Sequence, residues 1–216
     1  MVFPDYKQIF QDEGIASVRE AYDFINTEII YDWADLYKRE SLISGDVTIQ
    51  NFQGFTFAFD HTVADESAIA CALPDSRVVA AFGIANISIN FSNRAMMRKF
   101  WGPSTKAFAV FGDNYDKGHF IAHNSGGPID INLFPHRRDI NRGWSKEGKK
   151  YRLMERHVAE NRGTVVFSRP VYNDFSCCPA FIEYGYFDTS NKLEVDVFPN
   201  KNELLPPPRL GAHTAY

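Results

Sequence analysis

A chain of 216 residues that is 44% hydrophobic, 15% aromatic and 23% charged has the balance of an ordinary folded protein, which excludes a disordered, collagen-like or low-complexity chain. Its length suffices to bury a full core without disulfides or a structural metal, and its apolar runs are too short to span a bilayer. A net charge of −4 argues against a protein whose whole surface holds nucleic acid.

Residues 1–45 read as helical. Ile15, Val18, Tyr22, Ile25, Ile29 and Trp33 recur at spacings of three and four, Leu36 and Tyr37 continue the stripe, and Gly45 ends it. From Val47 to Phe59 β-branched and aromatic residues take over, with near alternation from Phe55 to Phe59. Further strands are expected over Val78–Phe91 and Ala107–Phe111, the latter closed by the turn signal Gly112-Asp113-Asn114. Two polar, loop-rich stretches follow, Asp116–Pro128 and Ile131–Asn141. A helix is then expected from about Trp144 to Asn161, and strands over Thr164–Tyr172, Phe181–Phe187 and Leu193–Phe198. Helices at one end and strands on both sides of one central helix make an α+β chain. It divides into a helical segment (1–45) suited to docking or delivery, a body (46–200) and a Pro-rich tail (201–216) that frays.

The first residues lack the basic-then-apolar arrangement of a secretory signal, so the chain is expected to be made in the cytoplasm, with any export needing a dedicated secretion machine. Cys71, Cys177 and Cys178 are odd in number and two are adjacent. They read as buried small apolar side chains of a protein built for a reducing compartment. Charge is unevenly spread. Between Arg137 and Arg156 lie eight basic residues and three acids, a local +5 that leaves −9 for the rest of the chain. A polyanion held there would be repelled elsewhere, although a charge run can also be no more than a solvated helix face.

The residues best suited to chemistry are Asp116-Lys117-Gly118-His119, Gly126-Gly127, Asn132, Asn141 and Glu155. His119 falls at the end of a strand, and an imidazole is suited to taking a proton from water near neutral pH. Taken alone, a histidine here is more often a structural hydrogen-bonding residue. Asn132 and Asn141 bracket a loop. Asparagine before a helix is commonly a cap, but its amide oxygen is also a hard ligand for a divalent cation. His119 and His123 have the spacing of a helical zinc pair, yet Gly118 before them and Gly126-Gly127 after them oppose a helix. His136, between Pro135 and Arg137, reads as a surface residue or a phosphate contact.

Together these residues resemble the DNA/RNA non-specific endonucleases, the ββα-metal nucleases, whose signature is Asp-Arg-Gly-His followed by Asn-x₈-Asn leading into a helix. Asp116-Lys117-Gly118-His119 matches the first part, and Asn132 and Asn141 match the second. Gly118–His123, Gly126-Gly127, Asn132–Pro135 and Asp139–Gly143 look especially like the bacterial toxin branch, over about residues 105–190.

The resemblance implies a ββα-metal core on an antiparallel sheet. It also implies hydrolysis of phosphodiester bonds in DNA and/or RNA with Mg²⁺, or another divalent cation such as Mn²⁺. His119 would be the general base and Asn141 the direct metal ligand. Asn132 would hold the loop and the His119 backbone, Glu155 would bind metal-held waters, and Asp116 would orient the His119 turn. Lys117 stands where most members have arginine, and it can meet a phosphate as a point charge but not bidentately. Arg138 and Arg142 would contact nucleic acid through its phosphates, without base readout. Arg94 and Arg98 are the candidates for an upstream arginine that steadies the transition state. A toxin or effector role implies a cognate immunity protein. Two other readings compete: a catalytically silent binding module on the same fold, against which the joint retention of His119, Asn132 and Asn141 speaks, and an adaptor working through residues 1–45.

Overall fold

The structure, a computed structural model, describes residues 1–41, 47–61, 77–86, 113–128, 131–174 and 176–201. Helix α1 (Tyr6–Asp12) begins where the Asp5 carboxylate accepts from the Gln8 amide at 3.2 Å. Helix α2 (Val18–Phe24) begins where Ser17 Oγ accepts from the Glu20 amide at 3.2 Å, and the Glu20 carboxylate reaches back to the Ala16 amide at 2.8 Å. A π-helical turn, Ile25–Ile29, carries α2 without interruption into α3 (Ile30–Ser41). The single helical stripe of the sequence is thus divided once, before Ser17.

The strand expected over Val47–Phe59 is a hairpin. Strands β1 (Val47–Phe52) and β2 (Phe55–Asp60) are joined by Gln53 and Gly54, both at positive φ, in a two-residue turn whose twist suits the strands. Strand β3 (Arg77–Ile84) holds the first part of the stretch expected over Val78–Phe91. Its remainder from Ile87, the Ala107–Phe111 strand, Cys71, Arg94, Arg98 and the Pro-rich tail beyond Lys201 lie outside the described residues. The two polar stretches expected to be loops contain strands β4 (Tyr115–His119) and β5 (Leu133–Arg137), paired with each other, and the short helix α4 (Arg138–Asn141). Only Tyr115 is large and apolar in β4, so alternation is invisible there, and its burial comes from elements distant in sequence. Helix α5 (Lys146–Glu160) is capped by Ser145, whose Oγ accepts from the Gly148 amide at 3.0 Å. Strands β6 (Val165–Val171), β7 (Phe181–Phe187) and β8 (Leu193–Pro199) fall where the sequence places them.

Among the described residues the strands form two antiparallel sheets, one of six strands in the order β1-β2-β3-β6-β7-β8 and the β4-β5 hairpin. Pro170 sits in β6 without disrupting it because pairing with β3 ends at Ser168. Both faces of the large sheet are covered. On one, Tyr6, Phe10, Ile25 and Trp33 pack on Phe82 and Phe167. On the other, Phe120 and Phe134 of the hairpin region and Tyr151, Met154 and Val158 of α5 pack on Phe57, Val166 and Tyr184. Burying each such side chain contributes roughly 1.5–3 kcal/mol. The result is an α+β molecule of three layers: N-terminal helices, sheet, and hairpin with α5.

The expectation that all three cysteines are apolar filler holds for Cys178, which is free and buried, and fails for Cys177, which is disulfide-bonded. Among the described residues no helix is long and apolar enough to cross a membrane.

Candidate active site

The β4–β5 hairpin carries most of the residues singled out from the sequence. Its register sets Asp116 opposite His136, Gly118 opposite Phe134 and His119 opposite Leu133. By strand alternation Asp116 and Gly118 share one face, and Lys117 and His119 the other. His136 is buried, which corrects its reading as a surface residue. Its ring lies tilted against that of Phe134 at 4.8 Å and meets Tyr151 of α5 edge-on at 4.9 Å. The space it fills is the space a side chain on Gly118 would need, since a Cβ there would come within 2.3 Å of His136 Cβ. Neither His136 ring nitrogen has a hydrogen-bond partner. Burial, with the nearby Arg137 charge adding, pushes its pKa down to about 3.

His119 closes β4. Its Nε2 is buried and has no hydrogen-bond partner, its ring lies 6.3 Å from that of His123, and its carbonyl oxygen accepts from Tyr151 Oη at 3.5 Å. Burial and the His123 charge lower its pKa to about 4, so the ring is neutral near pH 7. His123 Nδ1 is 3.3 Å from the Gly127 carbonyl.

Asn132 holds the intervening loop. It is fully buried: Oδ1 accepts from the Ile121 amide at 2.8 Å, and Nδ2 donates to the carbonyls of Ile121 at 2.6 Å and Pro128 at 2.9 Å. Its backbone carbonyl accepts from Phe120 N at 2.9 Å. Gly127 is needed for this closure, because a Cβ there would stand 2.0 Å from the Ile121 oxygen. With its amide so engaged, Asn132 positions the chain that follows His119.

Asp116 receives the two arginines expected to meet nucleic acid. Arg138 Nε donates to Oδ1 at 3.1 Å, and Arg142 donates through Nε to Oδ2 at 2.6 Å and through Nη2 to Oδ1 at 3.0 Å. Burial pushes the Asp116 carboxyl up, but Arg142 and Arg138 outweigh it and hold the carboxyl below its usual range. Asp116 therefore ties α4 to β4, and the positive charge of both arginines is partly compensated. Lys117 is half-buried, and burial lowers its pKa.

Asn141 is the last residue of α4 rather than the residue before a helix. It is half-buried, and among the described residues its amide has no side-chain hydrogen bond. Glu155 lies one turn beyond Tyr151 on the same face of α5 and is buried. Arg152 Nη1 donates to its Oε2 at 2.6 Å. Burial drives the carboxyl up to about 7 against the opposing pull of Arg152. Because Tyr151 reaches the His119 carbonyl and α5 packs on the turn His123–Ser125, the face of α5 bearing Glu155 lies against the His119 end of the hairpin.

Sequence reasoning missed Tyr151, although its position four residues before Glu155 is the signal that would have found it. Beside this cluster an open groove of about 500 Å³ is lined by Arg142, Gly143, Lys149, Arg152, Leu153 and Arg156.

No family model matches this chain, and no curated protein does. Among solved structures, that of the Sda1 nuclease with bound zinc ion is similar to it with a TM-score of 0.39 and 15% identity, over 68% of this chain and 75% of that one.

Proposed function

We propose that the chain is a metal-dependent, sequence-indifferent endonuclease of the ββα-metal type that hydrolyses phosphodiester bonds of DNA and/or RNA. The observation that carries this reading is His119 Nε2: a buried, neutral, unpartnered nitrogen at the end of the hairpin on which the Glu155-bearing face of α5 packs, within a sequence pattern that resembles that family. A buried polar atom without a partner is costly, and here it is the atom a general base would use.

The donor set fits a divalent cation. Asn141 offers a half-buried amide with no hydrogen-bond partner among the described residues, and Glu155 offers a carboxylate that burial would otherwise drive toward protonation. Among the described residues no group of three or more His, Cys, Asp or Glu could hold a metal. A cation that keeps most of its waters, Mg²⁺ or Mn²⁺, suits so few ligands. Asn141 would hold it directly and Glu155 through water. When bound, such a cation stabilises the negative charge that builds on a phosphodiester under attack.

The chain's own residues supply the rest. His119 accepts a proton from the attacking water at Nε2, and the negative phosphate nearby raises the ring's affinity for that proton. Tyr151 and Asn132 hold the backbone that follows the ring. Lys117 shares the strand face of His119 and presents its charge to the phosphate. Arg138 and Arg142, held by Asp116, contribute the flanking phosphate contacts, which carry no base information. As in the toxin branch it resembles, the enzyme would act as an antagonistic toxin or effector and be masked by a cognate immunity protein.

The test is incubation of purified protein with plasmid DNA and total RNA, with Mg²⁺ or with chelator. Cutting is expected only with the cation, and His119→Ala is expected to lower it by ~10²-fold or more. A His119→Ala protein that cuts at the parental rate would refute the mechanism. A wild-type protein that binds nucleic acid and cuts none would be the catalytically silent module.

A further inference from the structure

Trp144 and Leu153 are large apolar side chains left mostly in solvent, at 62% and 61% exposure. Leu153 lines the basic groove, and Trp144 adjoins it, following its lining residue Gly143 in sequence and lying against its lining residue Arg142. The indole is not loose. Its backbone amide donates to the Asp139 carbonyl at 2.8 Å, Ser145 after it caps α5, and the Arg142 guanidinium sits 5.0 Å from the ring centroid. The groove wall is a single helix face, with Lys149, Arg152, Leu153 and Arg156 at spacings of three and four, spanning ~10 Å of helix axis. Arg142 and Arg152 are paired with Asp116 and Glu155. Lys149 and Arg156 are exposed and, among the described residues, make no ion pair.

We infer that this groove binds a single-stranded polynucleotide, with an unpaired base stacked on Trp144 and the backbone phosphates running along Lys149 and Arg156. The two chemistries present call for this ligand. Uncompensated cations along one helix face take a chain of phosphates. A fixed, exposed indole takes the flat face of a base, which a continuous duplex keeps covered by its neighbours. Leu153 offers the sugar and base an apolar contact between the cations. Arg152 lines the groove and also holds Glu155, so a strand lying there passes the buried carboxylate. The inference rests on the nuclease reading for the choice of polynucleotide over other polyanions, and it adds which form is bound and by which side chains.

The test is equilibrium binding in chelator, where nothing is cut, with fluorescein-labelled DNA and RNA single strands of ~12 nucleotides, within the length such platforms cover. A blunt duplex of the same sequence and a single strand abasic throughout serve as comparisons. The intact single strands are expected to bind at least ~10-fold more tightly than the duplex. Trp144→Ala should weaken the single strands by ~10-fold, the loss expected for one stacked base, and leave the duplex and the salt dependence alone. The abasic strand should bind wild type and Trp144→Ala equally. Arg156→Gln should instead flatten the log–log salt slope for single strands by about 0.7, the share of one phosphate. Tyr31→Ala, which removes an exposed aromatic from α3, should change nothing. Duplex binding as tight as single-strand binding, or a Trp144→Ala protein with parental affinity, would overturn the inference. The two readings fail separately. A protein that shows this binding pattern but never cuts loses the nuclease reading and keeps the groove, whereas one that cuts without single-strand preference loses the groove alone.

Discussion

His136 sits where a nonpolar ring would serve the fold better. Both nitrogens are buried without partners, between Phe134, Tyr151 and the space above Gly118. Its folded pKa of about 3 lies below the ordinary value of 6.5, so the unfolded chain takes up the proton first. Stability from this residue is therefore complete above about pH 6.5 and drains away as pH falls toward 3. His119, held at about 4, adds to the loss over the upper part of that window. His136→Phe is expected to stabilise the protein by about 1 kcal/mol at pH 7 by removing unsatisfied buried nitrogens. It should also flatten the acid side of the profile, leaving the part due to His119. Thermal melts at half-unit pH steps check both. Alternation with Phe134 two residues earlier marks the inward face of His136, but a five-residue strand flanked by polar residues is too short for that signal to stand out. The Asp116–Arg138–Arg142 cluster was less legible still, because ion pairs 22 and 26 residues apart depend on the hairpin that creates them.

Helix α5 shows where local preference and tertiary packing disagree. Gly148 lies in its first turns, where alanine would ordinarily favour the helix by about 1 kcal/mol. A Cβ there would stand 2.3 Å from the Asp139 carbonyl and 3.0 Å from Ile140 Cα, both backbone atoms of α4. Gly148→Ala is therefore expected to cost ~1–3 kcal/mol, as overpacking does, read as a lower urea midpoint with unchanged slope. The reverse sign would mean that α4 and α5 do not meet so closely. At this scale the sequence was most readable for β6, β7, β8 and α5, each long enough for its periodicity to repeat. It was least readable for β1 and β2, whose shared run of β-branched and aromatic residues hides a turn at Gln53-Gly54, and for β4 and β5. The metal-facing assignments of Asn141 and Glu155 came from resemblance, since no periodicity distinguishes a ligand from a cap.

Across the whole molecule, the N-terminal helices are locked to the sheet by a buried polar chain. Trp33 Nε1 donates to Tyr6 Oη at 2.7 Å, Tyr6 Oη donates to Glu183 Oε2 at 2.6 Å, and Arg169 Nε donates to that same oxygen at 2.7 Å. Arg169 and Glu183 are almost completely buried. Removing one partner strands the other charge, so Glu183→Ala is expected to cost ~3–5 kcal/mol. Denaturant titration followed by tryptophan fluorescence and by far-ultraviolet circular dichroism should give one coincident transition in both proteins. A helical segment that melts ahead of the sheet would mean the chain of bonds does not couple the layers.

The large sheet has its own lesson. Ala85 N donates to the Thr164 carbonyl at 2.8 Å and Gly163 N to the Ala85 carbonyl at 3.0 Å. Among the described residues the sheet is left after Ala85 and rejoined at Gly163, and the hairpin, α4 and α5 all fall between those two points. Without that excursion the remaining strands run β1-β2-β3-β6-β7-β8 as a plain meander. The layer that carries the candidate site is a parenthesis in an otherwise continuous sentence, so its wording can change while the described rungs of the scaffold beneath keep their register.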